Sequence, residues 1–235
     1  MSREKTAIPR YALSAPVAAI IETGMMTRED ELFDYGCGLG DDVAILSAEG
    51  YSAWGWDPNH RPDGRRASAD VVNLGFVINV IESPHERTET LKDAWRFARK
   101  GLVVSSMLTG KTDVSNHKPH VDGYLTSRQT FQRYFSQSEL LQFVSETVGE
   151  QATSLGQGIV GVFRDKDLEQ RVRFQKRSRA AYLTRRILPR GPLRQRREKA
   201  APRASLMERI HVETAAIWET ALVLGRMPTA DEIDV

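Results

Sequence analysis

A short apolar strand that carries an acid and runs directly into a glycine turn and a helix constrains this chain more than any other feature. Glu31–Tyr35 holds Asp34, Gly36-Cys37-Gly38-Leu39-Gly40 follows, and Asp41–Ala48 has helical spacing, with Val43, Ile45 and Leu46 inward and a stop at Gly50. Glycine tolerates left-handed backbone and lets the main chain approach a ligand closely. The first turn of the helix behind it offers N–H groups without intrahelical partners. Strand, turn and helix in this order form a nucleotide-type site on a parallel α/β sheet.

The flanking sequence extends that sheet. Ser14 and Pro16 open a helix that stops at Gly24. Ala53–Trp56 is a second strand, closed by Asp57-Pro58. Within the apolar run Val71–Val80 a buried parallel strand is expected, between Asp70 and Glu82. Pro84–Ala98 has helical spacing through Leu91, Ala94, Trp95 and Ala98, and Gly101–Ser105 is another buried strand. Thr109–Thr130 is polar and too long for a passive connection. Ser136-Gln137-Ser138-Glu139 is a capping box. Ala152–Leu155 and Ile159–Phe163 pair as an antiparallel hairpin around Gly156-Gln157-Gly158. The order predicts a Rossmann-like, three-layer α/β sandwich. Only twelve residues separate Asp57 from Asp70, too few for a helix and a strand, so the third-strand region is compressed.

Charge divides the chain. The formal net charge is +2, but residues 164–203 hold 15 Lys/Arg against 4 Asp/Glu, while the segments before and after are acidic. Three parts follow: a ligand-binding domain over 1–165, a basic arm or linker over 166–204, and a helical segment over 205–235. Asp167–Leu188 is expected to be helical, with Leu168, Val172, Leu183 and Ile187 on one side, until Pro189-Arg190-Gly191-Pro192 breaks it. Leu206–Leu224 has helical spacing too. Thr229-Ala230-Asp231-Glu232 is a capping box with three residues behind it, which reads as a shortened relative of something longer.

The turn also says which ligand it suits. A dinucleotide site wants glycine at the sixth position of the motif, where this chain has Asp41. Asp41 and Asp42 at a helix N-terminus would repel a pyrophosphate. S-adenosylmethionine has no phosphate and carries an ammonium and a sulfonium. Asp34 suits the ammonium, through water or the turn backbone, and Asp57 suits the ribose hydroxyls. Gly36, Cys37, Gly38, Gly40, Asp42 and Pro58 complete the expected cofactor site. The missing third strand leaves the adenine pocket to residues 60–68 or to the N-terminal segment Lys5–Arg10.

These residues resemble a known family. Lys5-Thr6-Ala7-Ile8-x-Arg10, Ser14-x-Pro16, Phe33-Asp34-Tyr35-Gly36-Cys37-Gly38-x-Gly40-x-Asp42, Gly55-Trp56-Asp57-Pro58, the run from Ala69 to Glu82, and Thr130-Phe131-Gln132 are similar to the DNA phosphorothioation-associated methyltransferases. The resemblance covers about residues 3–165. It implies a class I S-adenosylmethionine-dependent methyltransferase in a DNA-modification setting, apparently shortened at its C-terminus.

Chemistry is expected where the central strand meets the methyl group, at Asn73-Leu74-Gly75-Phe76. An amino-directed DNA methyltransferase places a carboxamide and a base-stacking ring there, although both prolines of that motif are absent here. Asn73 and Phe76 are therefore the expected catalytic pair, with Asn73 also beside the cofactor. Asn79 and Glu82 lie next to them. Arg10, Phe131 and Gln132, and Arg194, Arg196 and Arg197 of the arm, are the expected nucleic-acid contacts, DNA favoured and RNA possible. Against stacking stands the simpler reading that Phe131, Tyr134 and Phe135 are core. Cys37 reads as a packing residue, and His117 and His120 as a solvated loop, with no metal expected. A small-molecule methyltransferase and a non-catalytic binding module remain the alternatives. A single cysteine, no secretory signal and no membrane-length apolar run favour a soluble cytoplasmic protein.

Overall fold

The computed structural model describes residues 6, 7 and 9–187, with side chains to residue 178. The arm and C-terminal segment beyond 187, including Arg194, Arg196 and Arg197, lie outside the described residues. The elements are α1 (Ala15–Glu22), β1 (Glu31–Tyr35), α2 (Asp41–Ala48), β2 (Ser52–Trp56), β3 (Ala69–Gly75), α3 (Pro84–Phe97), β4 (Ala98–Ser105), β5 (Lys118–His120), β6 (Gly123–Leu125), β7 (Phe131–Gln132), α4 (Gln137–Val148), β8 (Thr153–Gly156), β9 (Ile159–Phe163) and α5 (Lys166–Ile187).

Six strands form one sheet in the order β2-β1-β3-β4-β9-β8. The first four are parallel, and β9 and β8 close the edge antiparallel. The two-residue side-chain period sorts this sheet into two cores. Phe33, Val72, Leu74, Leu102, Val104, Val160 and Val162 face α3 and α4. Leu32, Val71, Val103, Ile159 and Phe163 face α1, α2 and α5. The chain moves from β1 outward to β2, then returns to β3 on the other side of β1. Right-handed crossovers in opposite directions put their helices on opposite faces, which makes the expected three-layer, Rossmann-like sandwich.

Local signals hold at α4. Ser136 Oγ accepts from the Glu139 N–H, the Glu139 carboxylate accepts from the Ser136 N–H, and Gly149 ends the helix at φ +74. At α5, Leu168 and Val172 are buried. The boundary expected at residue 165 thus meets the start of a helix whose first turns pack into the sandwich, and the compact unit runs to Ile187.

Two regions are clearer in space than in sequence. The compressed connection after β2 holds neither helix nor strand. It turns back at once, with Asp57 and Arg61 bridged by backbone hydrogen bonds. Arg65 lies 4.2 Å over the Trp54 ring and Arg66 4.5 Å over that of Trp56. Two guanidinium planes thus cover indoles on the edge strand, and Trp54 and Trp56 are half-buried and pack against the core.

The long polar stretch folds as part of a second sheet, β5-β6-β7. Asp122 anchors it by a bidentate pair with Arg87 of α3, at 2.7 and 3.0 Å, and by a second pair with Arg133. Arg87 is 1% exposed and also donates to the Ile81 carbonyl at 2.9 Å. Among the described residues no helix is long and apolar enough to cross a membrane.

Candidate functional site

In an open α/β sheet ligands bind beyond the strand C-termini, where the winding reverses. Here that place is between β1 and β3, and a cavity of about 490 Å³ lies there. Gly36, Cys37 and Gly38 line it from the end of β1, and Trp56 to His60 from the end of β2. Gly75, Phe76 and Val77 follow from the end of β3, Glu86 and Thr90 from α3, and Thr6, Ala7 and Arg10 from the N-terminal segment. Both segments expected to replace the third strand thus border the cavity: His60 from one, Thr6, Ala7 and Arg10 from the other.

The glycine turn is built as its residues require. Gly36, Gly38 and Gly40 have φ of +84, +54 and +86. A Cβ at Gly36 would stand 2.4 Å from Val77 Cγ2. The Gly36 and Cys37 N–H groups both donate to the Trp56 carbonyl. Burial, then the neighbouring Asp34, pushes the Cys37 thiol up to about 12, so it stays protonated.

Asp34 and Asn73 stand side by side on β1 and β3. Both are buried, and Asn73 Nδ2 donates to Asp34 Oδ1 at 2.8 Å. Neither lines the cavity; they lie beneath the turn. The Asn73 carboxamide, expected to face an acceptor, is engaged with Asp34 through Nδ2, and a Cβ at Gly75 would stand 2.9 Å from that nitrogen.

Burial and the nearby Asp42 raise the Asp34 carboxyl to about 7, against the Asn73 hydrogen bond. Unfolded, it titrates near 4. The native state therefore holds a proton that the unfolded state has lost between about pH 4 and 7. This contribution is fully present below pH 4 and is lost as pH rises through 7. Asp34→Asn is expected to flatten that slope in urea unfolding at pH 5 and pH 8. An unchanged slope would remove Asp34 as its source.

Asp57 lines the cavity, but its carboxylate is already engaged. It accepts from the N–H groups of Gly38 (3.1 Å), Asn59 (2.9 Å) and His60 (2.9 Å). A carboxylate has about four acceptor positions, so roughly one stays open, enough for one hydroxyl rather than two.

Asp42 is not at the cavity. It is buried and accepts from the Ser14 N–H at 2.7 Å. Asp41, which does line the cavity, accepts from the Arg10 N–H at 2.7 Å. The doubled acid thus ties the N-terminal segment to the mouth of α2.

Pro58 lines the cavity. Phe76 does too, with φ +58, a left-handed conformation that is strained for an aromatic residue. Its N–H is held by both oxygens of Ser105, at 3.1 Å each. Phe131 and Gln132 are away from the cavity. Phe131 is 2% exposed and packs in the second sheet against Gly123 and His120, which leaves no face for a base. Glu82 pairs with His120 at 2.6 Å, and His117 stacks on Tyr134.

Tyr35, Val77, Val80, Ile81, Glu86 and Thr90 also line the cavity and were not singled out in the sequence. Glu86 is hidden by its own context, because an acid three residues after Ser83 reads as part of a helix cap.

No protein-family model and no curated protein matches the chain. Among solved structures it is similar to the 1,6-didemethyltoxoflavin-N1-methyltransferase of Burkholderia thailandensis, with 1,6-didemethyltoxoflavin and S-adenosylhomocysteine bound. That match has a TM-score of 0.44 and 13% identity, over 64% of this chain and 80% of that one. A SAM-dependent methyltransferase of Methanosarcina mazei matches with a TM-score of 0.47 and 16% identity, over 65% and 97% of the two chains. The sugar N-methyltransferase KedS8 of a Streptoalloteichus species matches with a TM-score of 0.47 and 12% identity, over 66% and 89%.

Proposed function

We propose that the chain is an S-adenosylmethionine-dependent methyltransferase. The observation that carries this reading is the charge of the cavity at the switch point. Asp41, Asp57 and Glu86 line it against one lining arginine, Arg10, and Asp42 lies buried nearby. A pyrophosphate would be repelled, and a ligand with an ammonium and a sulfonium is drawn in. The volume is within the usual range of about 300–1,000 Å³ for small-molecule sites. The glycine backbone provides a close approach that a Cβ would fill.

The amino-acid end lies over the turn, Asp57 holds one ribose hydroxyl, and Pro58, His60, Val77 and Val80 receive the adenine. When bound, the cofactor supplies an electrophilic methyl group on its sulfonium. Phe76, held against Ser105, borders the acceptor. Asn73 acts through Asp34 and is a positioning residue. We infer a nucleic-acid acceptor, DNA before RNA. The basic segment 164–203, with its 15 Lys/Arg, supports this, as does the resemblance to the phosphorothioation-associated methyltransferases.

Calorimetry is expected to find binding of S-adenosylmethionine and S-adenosylhomocysteine and none of NAD. Asp57→Asn keeps the shape but removes the charge and replaces one accepting oxygen by an NH2 that faces a backbone N–H, for about tenfold weaker binding or more. Methyl-labelled cofactor offered to DNA, RNA and metabolite pools then identifies the acceptor. Label in metabolites alone replaces the nucleic-acid reading with a small-molecule one. Binding without transfer to any pool leaves a cofactor-sensing module. NAD binding in preference to S-adenosylhomocysteine would overturn the site.

A further inference from the structure

The cofactor named above is not only cationic. Its methionine end also carries a carboxylate, and an acidic cavity must match that one negative charge or exclude it. Among the described residues that line the cavity, Arg10 is the single lysine or arginine, against Asp41, Asp57 and Glu86. We propose that Arg10 reads the carboxylate and so makes the site specific for a ligand with an intact amino-acid end. This rests on the reading of the site as an S-adenosylmethionine pocket.

Four observations place Arg10, and the N-terminal strap that carries it, for that task. Its own N–H donates to Asp41 Oδ2 at 2.7 Å, which fixes its backbone at the mouth of α2. Four residues on, the Ser14 N–H donates to buried Asp42, so the strap is held at two points. Between the strap and the turn, Ala7 Cβ is 3.3 Å from where a Cβ of Gly38 would stand, so the strap passes directly over the glycine turn. Arg10 is also close enough for its charge to favour the ionised form of Asp34 beneath that turn.

Arg10 thus lines the same cavity as the glycine turn that receives the amino-acid end. An arginine there can hold a carboxylate with two parallel N–H donors. Asp41, which lines the cavity, remains for the ammonium. The cavity then offers opposite charges to the two ends of one zwitterion. Arg61, whose guanidinium packs on Gly40, is outside the lining.

The test compares two ligands that differ only in the carboxylate: S-adenosylmethionine and its decarboxylated form. Affinities are measured by calorimetry on the full chain. The parent is expected to prefer the intact cofactor. Arg10→Gln is expected to weaken intact cofactor by about 10- to 100-fold, the range for a lost charge-assisted contact, with the decarboxylated form unchanged. Arg10→Lys should restore part of the preference, and Arg61→Gln should leave it in place.

The tethering bond belongs to the Arg10 backbone, so these side-chain changes keep it. Melting temperatures beside the titrations register any loss of fold. Equal weakening of both ligands would make Arg10 a structural part of the strap and overturn the proposal. Unchanged affinity for both would do the same, leaving the carboxylate to the N–H groups of α2. If the parent binds neither ligand, the S-adenosylmethionine reading fails, and this proposal with it. Failure at Arg10 alone leaves that reading standing.

Discussion

Asp122→Ala is expected to destabilise the fold by about 3–5 kcal/mol, the cost of leaving a buried charge without its partner. Arg87 sits at 2% side-chain exposure, and its bidentate carboxylate comes from the polar stretch between β5 and β6. Removal of Asp122 strands that guanidinium and also frees Arg133. The loss should appear in urea unfolding as a lower midpoint with a similar slope. Arg87→Met added to Asp122→Ala should recover much of it, because an apolar chain of similar length has no charge to strand. A loss under about 1 kcal/mol would mean that the pair does not hold the second sheet. The functional consequence is local, since Arg87 also holds the carbonyl of Ile81, which lines the cavity.

Gly36→Ala should be the most damaging single-atom change to cofactor binding, with S-adenosylhomocysteine affinity falling by about 100-fold. The backbone is left-handed there, which costs a residue with a Cβ about 1–2 kcal/mol. The added atom would also stand 2.4 Å from Cγ2 of Val77, a neighbouring lining residue. Both strains are relieved by moving the turn away from the ligand, so relief comes at the expense of affinity. Val77→Ala in the same chain removes the clashing methyl but not the φ cost. Partial recovery in the double variant is the expected calorimetric result. Full affinity in Gly36→Ala, with the fold intact, would show that the ligand does not lie on this turn.

The architecture was legible because its signals are local and redundant. β1 and α2 lie where the acid, the glycines and the apolar spacing put them, and the capping box at Ser136 opens α4. The shortened connection after Asp57 could be counted in the sequence, and the sheet indeed ends at β2. What covers that edge could not be counted. Nothing local to Arg65 and Arg66 marks them as the side chains that stack on Trp54 and Trp56 in space. The second sheet was hidden because its strands are two or three residues long, below the length at which alternation can be recognised.

The candidate site divides along the same line. By itself the sequence determined the strand, turn and helix, the positive-φ glycines and the acid after β2, since each follows from backbone conformation within a few residues. Only the tertiary structure decided which partner each polar group found. Asn73 met Asp34 across 39 residues of chain, Asp42 met Ser14 across 28, and Asp41 met Arg10 across 31. A carboxamide at a strand end or an acid at a helix start has the same local signature whether it faces a ligand or a buried neighbour. The choice is made by desolvation, which obliges each buried polar group to pair with whatever the packed sheet and helices bring within hydrogen-bonding distance.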